Sequence, residues 1–185
     1  ARLGSFVGIA QGKLPMEHWF RLGRLITMRR GKTMLLSWGG SMFEYLMPRL
    51  VMPGYDHTLL GQTCEAVVEW QIDYGRKRSV PWGISESAEN STDAGLNYQY
   101  RSFGVPGLGF KRDLAQDLVI APYASVLALM VKPREACENM ERLSADGYEG
   151  KYGFHDAVDF TPRRLSGDGS PALVRSFMAH HQGMS

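Results

Sequence analysis

DHTLLGQTCEAVVEWQIDYG, residues 56–75, is the stretch whose reading decides the fold class. Leu59, Leu60, Cys64, Val67, Val68, Gln71 and Tyr74 recur at helical spacing, and Asp56 stands where an N-cap belongs. Upstream, residues 15–30 open on Pro15 and lay Trp19, Phe20, Leu22, Leu25, Ile26 and Met28 along a broad apolar stripe, the pattern of another helix. MFEYLMPRL (42–50) is apolar but carries Pro48, so a helix there is short or kinked. Downstream, Pro122 and Pro133 each stand at a plausible first-turn position. The segment after Pro122, within APYASVLALMV, is apolar on nearly every side and belongs in the core. The segment after Pro133 carries Ala136, Cys137, Met140 and Leu143 on one face and ends at Gly147. A final helix is predicted from Pro171 through Leu173, Val174, Phe177 and Met178 to the histidines. Nothing sustains period-two alternation, so the expected class is all-α.

The connections are long for packed helices. Residues 76–111 and 147–170 are rich in Gly, Tyr, Phe and acidic side chains, and long ordered loops of that kind tend to be functional. The chain has 185 residues, 44% hydrophobic and 22% charged, enough to form a core. A formal charge of +2, with its densest basic group only Arg29, Arg30 and Lys32, lacks the stripe that nucleic-acid binding needs. No apolar run approaches the roughly 20 residues that span a bilayer. Cys64 and Cys137 each fall on an apolar helix face and are expected as buried free thiols. Asn90-Ser91-Thr92 matches a glycosylation acceptor with no other sign of secretion. Both ends look cut, since Ala1-Arg2-Leu3 and the closing His180-His181-Gln182-Gly183-Met184-Ser185 stand in mid-pattern; the chain is expected to be a piece of a longer protein.

The chemistry concentrates in WGGSMFEY (38–45), PWGISES (81–87), NYQYRSFG (97–104) and YGFHDAVDF (152–160). Each sets aromatic rings beside groups that make directional hydrogen bonds, and Glu44, Glu86, Asp156 and Asp159 supply carboxylates. A sugar ring offers C–H faces that stack on aromatics and hydroxyls that need polar partners. Glycosidic cleavage further needs two carboxyl groups flanking the bond. His180-His181 are adjacent, unlike the i, i+4 pairing of a helical zinc site, so neither a metal nor a cofactor is expected. Gly104–Gly109 has no strand before it and no Lys-Ser/Thr after it, so it is not a phosphate loop. Taken singly, each cluster also fits a cap, an anchored core aromatic or a surface pair; their coincidence points to a glycan site.

The strings LLSWGGSMFEYLMPRLVMPGY, PWGISES, LNYQYRSFGVPGLGFKRDLAQDLVIAPYA, GKYGFHDAVDFTP and MAHHQGMS resemble the glycoamylase-like domain of cyclic β-1,2-glucan synthases over the whole of residues 1–185. The resemblance implies the C-terminal part of an (α/α)6 barrel within a large bacterial inner-membrane protein. The domain would face the cytoplasm and meet the membrane only through other parts of its parent. It would work beside glycosyltransferase and phosphorylase-like domains of the same polypeptide, closing linear β-1,2-glucan into rings by transglycosylation. Glu86 matches a catalytic glutamate of the family, and a second glutamate is implied in a Ser-Glu pair just ahead of Ala1. Phe154-His155-Asp156-Ala157 departs from the family's Phe-Tyr-Glu-Ala, which favours substrate contact over catalysis at Asp156, and Trp38-Gly39-Gly40 departs from Trp-Ser-Gly.

The candidate catalytic residues are therefore Glu86, as acid/base, and Glu44. Candidate substrate contacts are Trp38, Tyr45, Trp82, Tyr98, Gln99, Tyr100, Arg101, Phe154, Asp156, His180, His181 and Gln182. Trp82 is expected to shape a sugar subsite and shield Glu86. Ring closure exchanges one β-linkage for another, so a retaining double displacement with the chain's own end as acceptor is expected. Hydrolysis of the same glucan, or glucan binding without turnover, are the alternatives.

Overall fold

A computed structural model describes residues 2–185; Ala1, where the family resemblance begins, lies outside the described residues. The chain is not all-α, and the expectation of a piece of a helical barrel is corrected. Seven α-helices are joined by nine short strands in four small antiparallel sheets among the described residues.

The clearest correction is at residues 15–30. Only Glu17–Arg21 (α2) is helical there, after α1 (Arg2–Ala10). Ile26–Arg29 (β1) then pairs with Lys32–Leu35 (β2) in a hairpin whose register sets Arg29 opposite Lys32. Arg30 and Gly31 between them both have positive φ, as a type I′ two-residue turn requires. The tight turn overrides the helical stripe because the hairpin lays its inner face, Met34 and Leu35, on the long helix.

That helix, α4, runs Leu59–Lys77, and its cap is Thr58 rather than Asp56: the Thr58 hydroxyl accepts the Gly61 N–H at 3.1 Å. Val67, Val68 and Gln71 face inward, as the spacing predicts. Met42–Leu46 (α3) is short and passes into a 3₁₀ turn at Pro48. Pro122–Ala128 (α5) is buried on almost every side, and Pro133–Ala145 (α6) stops before Gly147, whose φ of +83° suits a glycine stop. Cys64 is buried but Cys137 is exposed, because α6 turns that position to solvent.

The two long loops are where the remaining strands hide. Ser87–Thr92 (β3) pairs with Tyr98–Arg101 (β4), setting Ala88 opposite Tyr100. Val119–Ile120 (β5), Ala157–Asp159 (β8) and Ala172–Val174 (β9) form a three-stranded sheet in the order β5-β8-β9. Its residues are nearly all buried, so no polar alternation marks them. Glu149–Gly150 (β6) and Gly153–Phe154 (β7) make a minimal hairpin. The helix expected from Pro171 onward is β9 followed by Ala179–Met184 (α7). No described helix is long and apolar enough to cross a membrane.

Candidate functional site

PWGISES is extended chain stitched to its surroundings by two buried amides. Gln71 of α4, 1% exposed, accepts the Ile84 N–H at 2.8 Å and donates to the Ile84 carbonyl at 2.8 Å. Asn139 of α6 does the same for Trp82, accepting its N–H at 3.0 Å and donating to its carbonyl at 2.8 Å. Each amide presents one donor and one acceptor side by side, the pattern a neighbouring strand would offer. Gly83, at φ +122°, accepts the Ala121 N–H at 2.9 Å. The Ser85 hydroxyl accepts the Phe43 N–H at 3.0 Å and meets the Tyr123 hydroxyl at 2.8 Å. From Pro81 to Glu89 every residue is buried except Glu86, which is half-exposed. The segment is a rigid mount for one carboxyl group.

Burial raises the pKa of Glu86 first, and the charge of Glu44 raises it further; His181 and the Tyr100 hydroxyl act in the opposite sense. Glu44 itself is fully engaged. As the third residue of α3 it closes a capping box with Ser41. Its carboxylate also accepts the Ser37 hydroxyl at 2.9 Å and the Gly39 N–H at 3.0 and 2.9 Å. Glu44 therefore holds the Trp38–Gly40 loop and acts on Glu86 through its charge, not as a free nucleophile.

That loop crosses residues 104–109 backbone to backbone. The Ser37 N–H donates to the Leu108 carbonyl at 3.1 Å, and the Lys111 N–H donates to the Trp38 carbonyl at 2.9 Å. A Cβ on Gly104 would sit 1.7 Å from the Gly39 carbonyl oxygen, so the glycines serve this crossing. Gly39, in place of the serine the family resemblance implies, leaves room where a Cβ would come within 2.6 Å of the Ser102 hydroxyl.

Behind Glu86 stands a buried carboxylate–imidazole pair. Nδ1 of His181 lies 2.6 Å from Oδ1 of Asp156, with side chains 1% and 0% exposed. The other Asp156 oxygen accepts the Ala88 N–H at 2.8 Å. The His181 ring stacks on Tyr123 at 3.9 Å. Nε2 of His181 and Nε2 of His180 each lie 3.3 Å from the Tyr100 hydroxyl. Tyr100 is raised in pKa by burial and then by the charges of Glu86 and Asp156. His180 is lowered by burial and by its neighbour His181.

The structure thus brings Glu86, Glu44, Tyr100, Asp156, His180 and His181 together. Gln182 and Phe154 border a cavity of about 70 Å³ on the far side of the Asp156–His181 pair. Trp38 is 73% exposed, free to act as a stacking platform. Gln99 is exposed on β4, while Tyr98 packs its ring against the core. Three expected contacts serve the fold instead. Trp82 is 7% exposed and belongs to the core, so it shields Glu86 only from behind. Tyr45 is buried, with its hydroxyl donating to the Leu108 carbonyl at 2.6 Å and accepting the Ser37 N–H at 2.9 Å. Arg101 is spent on Asp117 and, at 3.3 Å, on Glu89, beside the buried Arg164–Asp159 pair. Sequence reading missed Tyr123, Ser85, Gln71 and Asn139 as supports of the site. The signal for the two amides was a polar residue on an otherwise apolar helix face. Among the described residues no group of three or more His, Cys, Asp or Glu side chains is placed to hold a metal ion. The largest cavity, about 270 Å³ between β1 and α4, shares no lining residue with Glu86.

The family model described as "Putative glucoamylase", of the Glycoamylase family, matches residues 8–185. The chain is 54% identical over all 185 residues to the cyclic beta-(1,2)-glucan synthase NdvB of Rhizobium meliloti, and it spans 6% of that protein's length. Among solved structures it is similar to an endo-beta-1,2-glucanase of Chitinophaga pinensis in complex with sophorotriose and glucose. The TM-score is 0.54 at 18% identity, covering 75% of this chain and 35% of that one. A putative glucoamylase of Bacteroides fragilis gives 0.54 at 19% identity, covering 75% and 34%. The two structural likenesses show a shared fold.

Proposed function

This chain belongs to the glycoamylase family, and on that premise we propose that it is a segment of a domain that closes linear β-1,2-glucan into rings by transglycosylation. A relative named for cyclic β-1,2-glucan and a solved neighbour named for β-1,2-glucan cleavage both support that substrate class. The reading extends to the parent polypeptide, a bacterial inner-membrane synthase with this domain on its cytoplasmic side and glycosyltransferase and phosphorylase-like partners in the same chain.

The observation that carries the reaction class is the single half-exposed carboxyl, Glu86, raised in pKa and mounted on a segment otherwise buried. A carboxyl that keeps its proton at working pH suits a general acid. In the proposed sequence Glu86 protonates the glycosidic oxygen while a second carboxylate attacks the anomeric carbon. Glu86, now ionised, then takes the proton from the hydroxyl at the glucan's own nonreducing end as that oxygen displaces the enzyme carboxylate, giving net retention. Glu44 is too fully hydrogen-bonded to be the nucleophile, and that role falls to the glutamate the family resemblance sets ahead of Ala1. Glu44 contributes by its charge, Trp38 and Gln99 line the approach, and exclusion of water by the aromatic loops favours transfer over hydrolysis.

Replacing Glu86 by Ala in the full-length polypeptide and supplying azide tests the role. Removal of an acid/base leaves the glycosyl-enzyme open to azide, giving a product of β configuration. A product of α configuration would make Glu86 the nucleophile and overturn the assignment.

A further inference from the structure

The Asp156–His181 pair was expected among the substrate contacts, yet both side chains are closed off from the surface, at 0% and 1% exposure. A group so enclosed acts on a sugar only through something else. The neighbours of the His181 ring identify that intermediary. One face stacks on Tyr123 of α5, Nδ1 meets Asp156 at the entry to β8, and Nε2 meets the Tyr100 hydroxyl of β4. The Tyr100 hydroxyl in turn faces Glu86.

Proton counting then fixes the directions. An ionised Asp156 only accepts, so Nδ1 of His181 carries a proton and donates it. A neutral His181 has no second proton, so its Nε2 must accept, and the Tyr100 O–H is the donor within reach at 3.3 Å. Tyr100 has one proton, and it is thereby committed. His180, a neutral ring at the surface of α7, reaches the same phenol oxygen at 3.3 Å and can donate its Nε2–H there. The chain of donors runs from His180 through Tyr100 and His181 to Asp156. What remains on the phenol oxygen towards Glu86 is a lone pair.

We propose that Asp156 and His181 are positioning residues that fix the direction of the Tyr100 hydroxyl, so that Tyr100 accepts a hydrogen bond from Glu86 instead of donating one to it. The proposal rests on Glu86 being the acid/base of the reaction above. An accepting Tyr100 favours the protonated carboxyl before the first step. After that step it leaves the Glu86 carboxylate without that donor, which makes it a better base towards the incoming hydroxyl. Protonation of His181 reverses the arrangement. Its Nε2–H then donates to Tyr100, the phenol proton turns to Glu86, and the carboxylate is stabilised. The other charged group facing Glu86 is Glu44 on α3, whose pairing with Ser37, Gly39 and Ser41 does not involve this chain.

The test is the pH profile of glucan transfer by the full-length polypeptide on linear β-1,2-glucan. Wild-type turnover and its loss in Glu86→Gln report on the reaction itself; if either fails, the underlying reading fails and the profile is not reached. Tyr100→Phe, at a 40% exposed position, keeps the fold and removes the acceptor. Its alkaline limb is expected to fall by about one pH unit, roughly a tenfold loss of rate above the limb, with KM little changed. A limb that rises means that Tyr100 donates to Glu86 and overturns the proposal. Asp156→Asn frees the His181 tautomer and is expected to lower the limb alone but not in the Tyr100→Phe background. An equal shift in both backgrounds would mean that Asp156 acts directly by charge, against the proposal. A uniform loss across pH in Tyr100→Phe, with the limb unmoved, would reduce the chain to a structural role.

Discussion

Gln71→Leu is the substitution that most directly probes the mount of Glu86. Leucine is close to glutamine in size and suits a position that is 1% exposed, so the packing of α4 is largely kept. What is lost is the pair of 2.8 Å hydrogen bonds to Ile84. Both Ile84 backbone groups would then be buried without partners. An orphaned buried polar group costs about 1–3 kcal/mol, so two cost about 2–6 kcal/mol. Better burial of an apolar side chain returns about 1 kcal/mol, which leaves a net loss near 3 kcal/mol. Much of that loss is local, since residues 81–86 can lift while α4 stays packed. Hydrogen exchange followed by mass spectrometry reads this directly. Protection of the peptide spanning residues 81–88 should fall by roughly a hundredfold, the equivalent of about 3 kcal/mol. Peptides of α6 should change little. Transfer activity should fall with it, because Glu86 sits two residues beyond the released bond. Unchanged protection at residues 81–88 would refute the claim that the amide holds the segment, whatever happened to activity.

Three further outcomes follow from the same geometry. Gly104→Ala brings a Cβ to 1.7 Å from the Gly39 carbonyl, main chain against main chain, and should cost about 3 kcal/mol or more, seen as a lowered denaturation midpoint. Trp38→Ala, at a 73% exposed position, should leave stability within about 0.5 kcal/mol while raising KM for glucan; equal loss of stability and binding would show a structural tryptophan. Glu86→Gln should stabilise the protein at neutral pH while removing transfer. The folded-state pKa of Glu86 is raised, so the folded protein holds this proton more tightly than the unfolded chain does. Wild-type stability from this group therefore declines as pH rises from the ordinary carboxylate range through the raised value, and thermal melts of the Gln variant should lack that decline.

How far the chain was readable depended on where the physical signal lay. Proline at the first turn marked α5 and α6, and helical spacing marked the inner face of α4, because those signals are local. The Arg30-Gly31 turn was just as local, but the apolar residues before it mimic a helical stripe over too short a window to separate the periods. The sheet β5-β8-β9 was beyond reach for a different reason. Its strands are two or three residues long, almost wholly buried, and brought together from positions far apart in the chain. At the site, composition pointed to Glu86, Tyr100, Asp156 and His181, which the fold gathers. It could not separate a tryptophan that faces solvent, Trp38, from one that fills the core, Trp82, since residue type is the same and only packing differs. The roles of Gln71 and Asn139 were equally hidden. A buried amide is informative only once its partner, a strand without a neighbour, has been placed.

The measurement closest to the central claim is product analysis by mass spectrometry after the full-length polypeptide meets linear β-1,2-glucan. The account predicts products one water lighter than a linear chain of the same length, absent with Glu86→Gln. Shorter linear fragments with new reducing ends would make the activity hydrolytic, and glucan bound but unchanged would leave a binding module; either result contradicts ring closure.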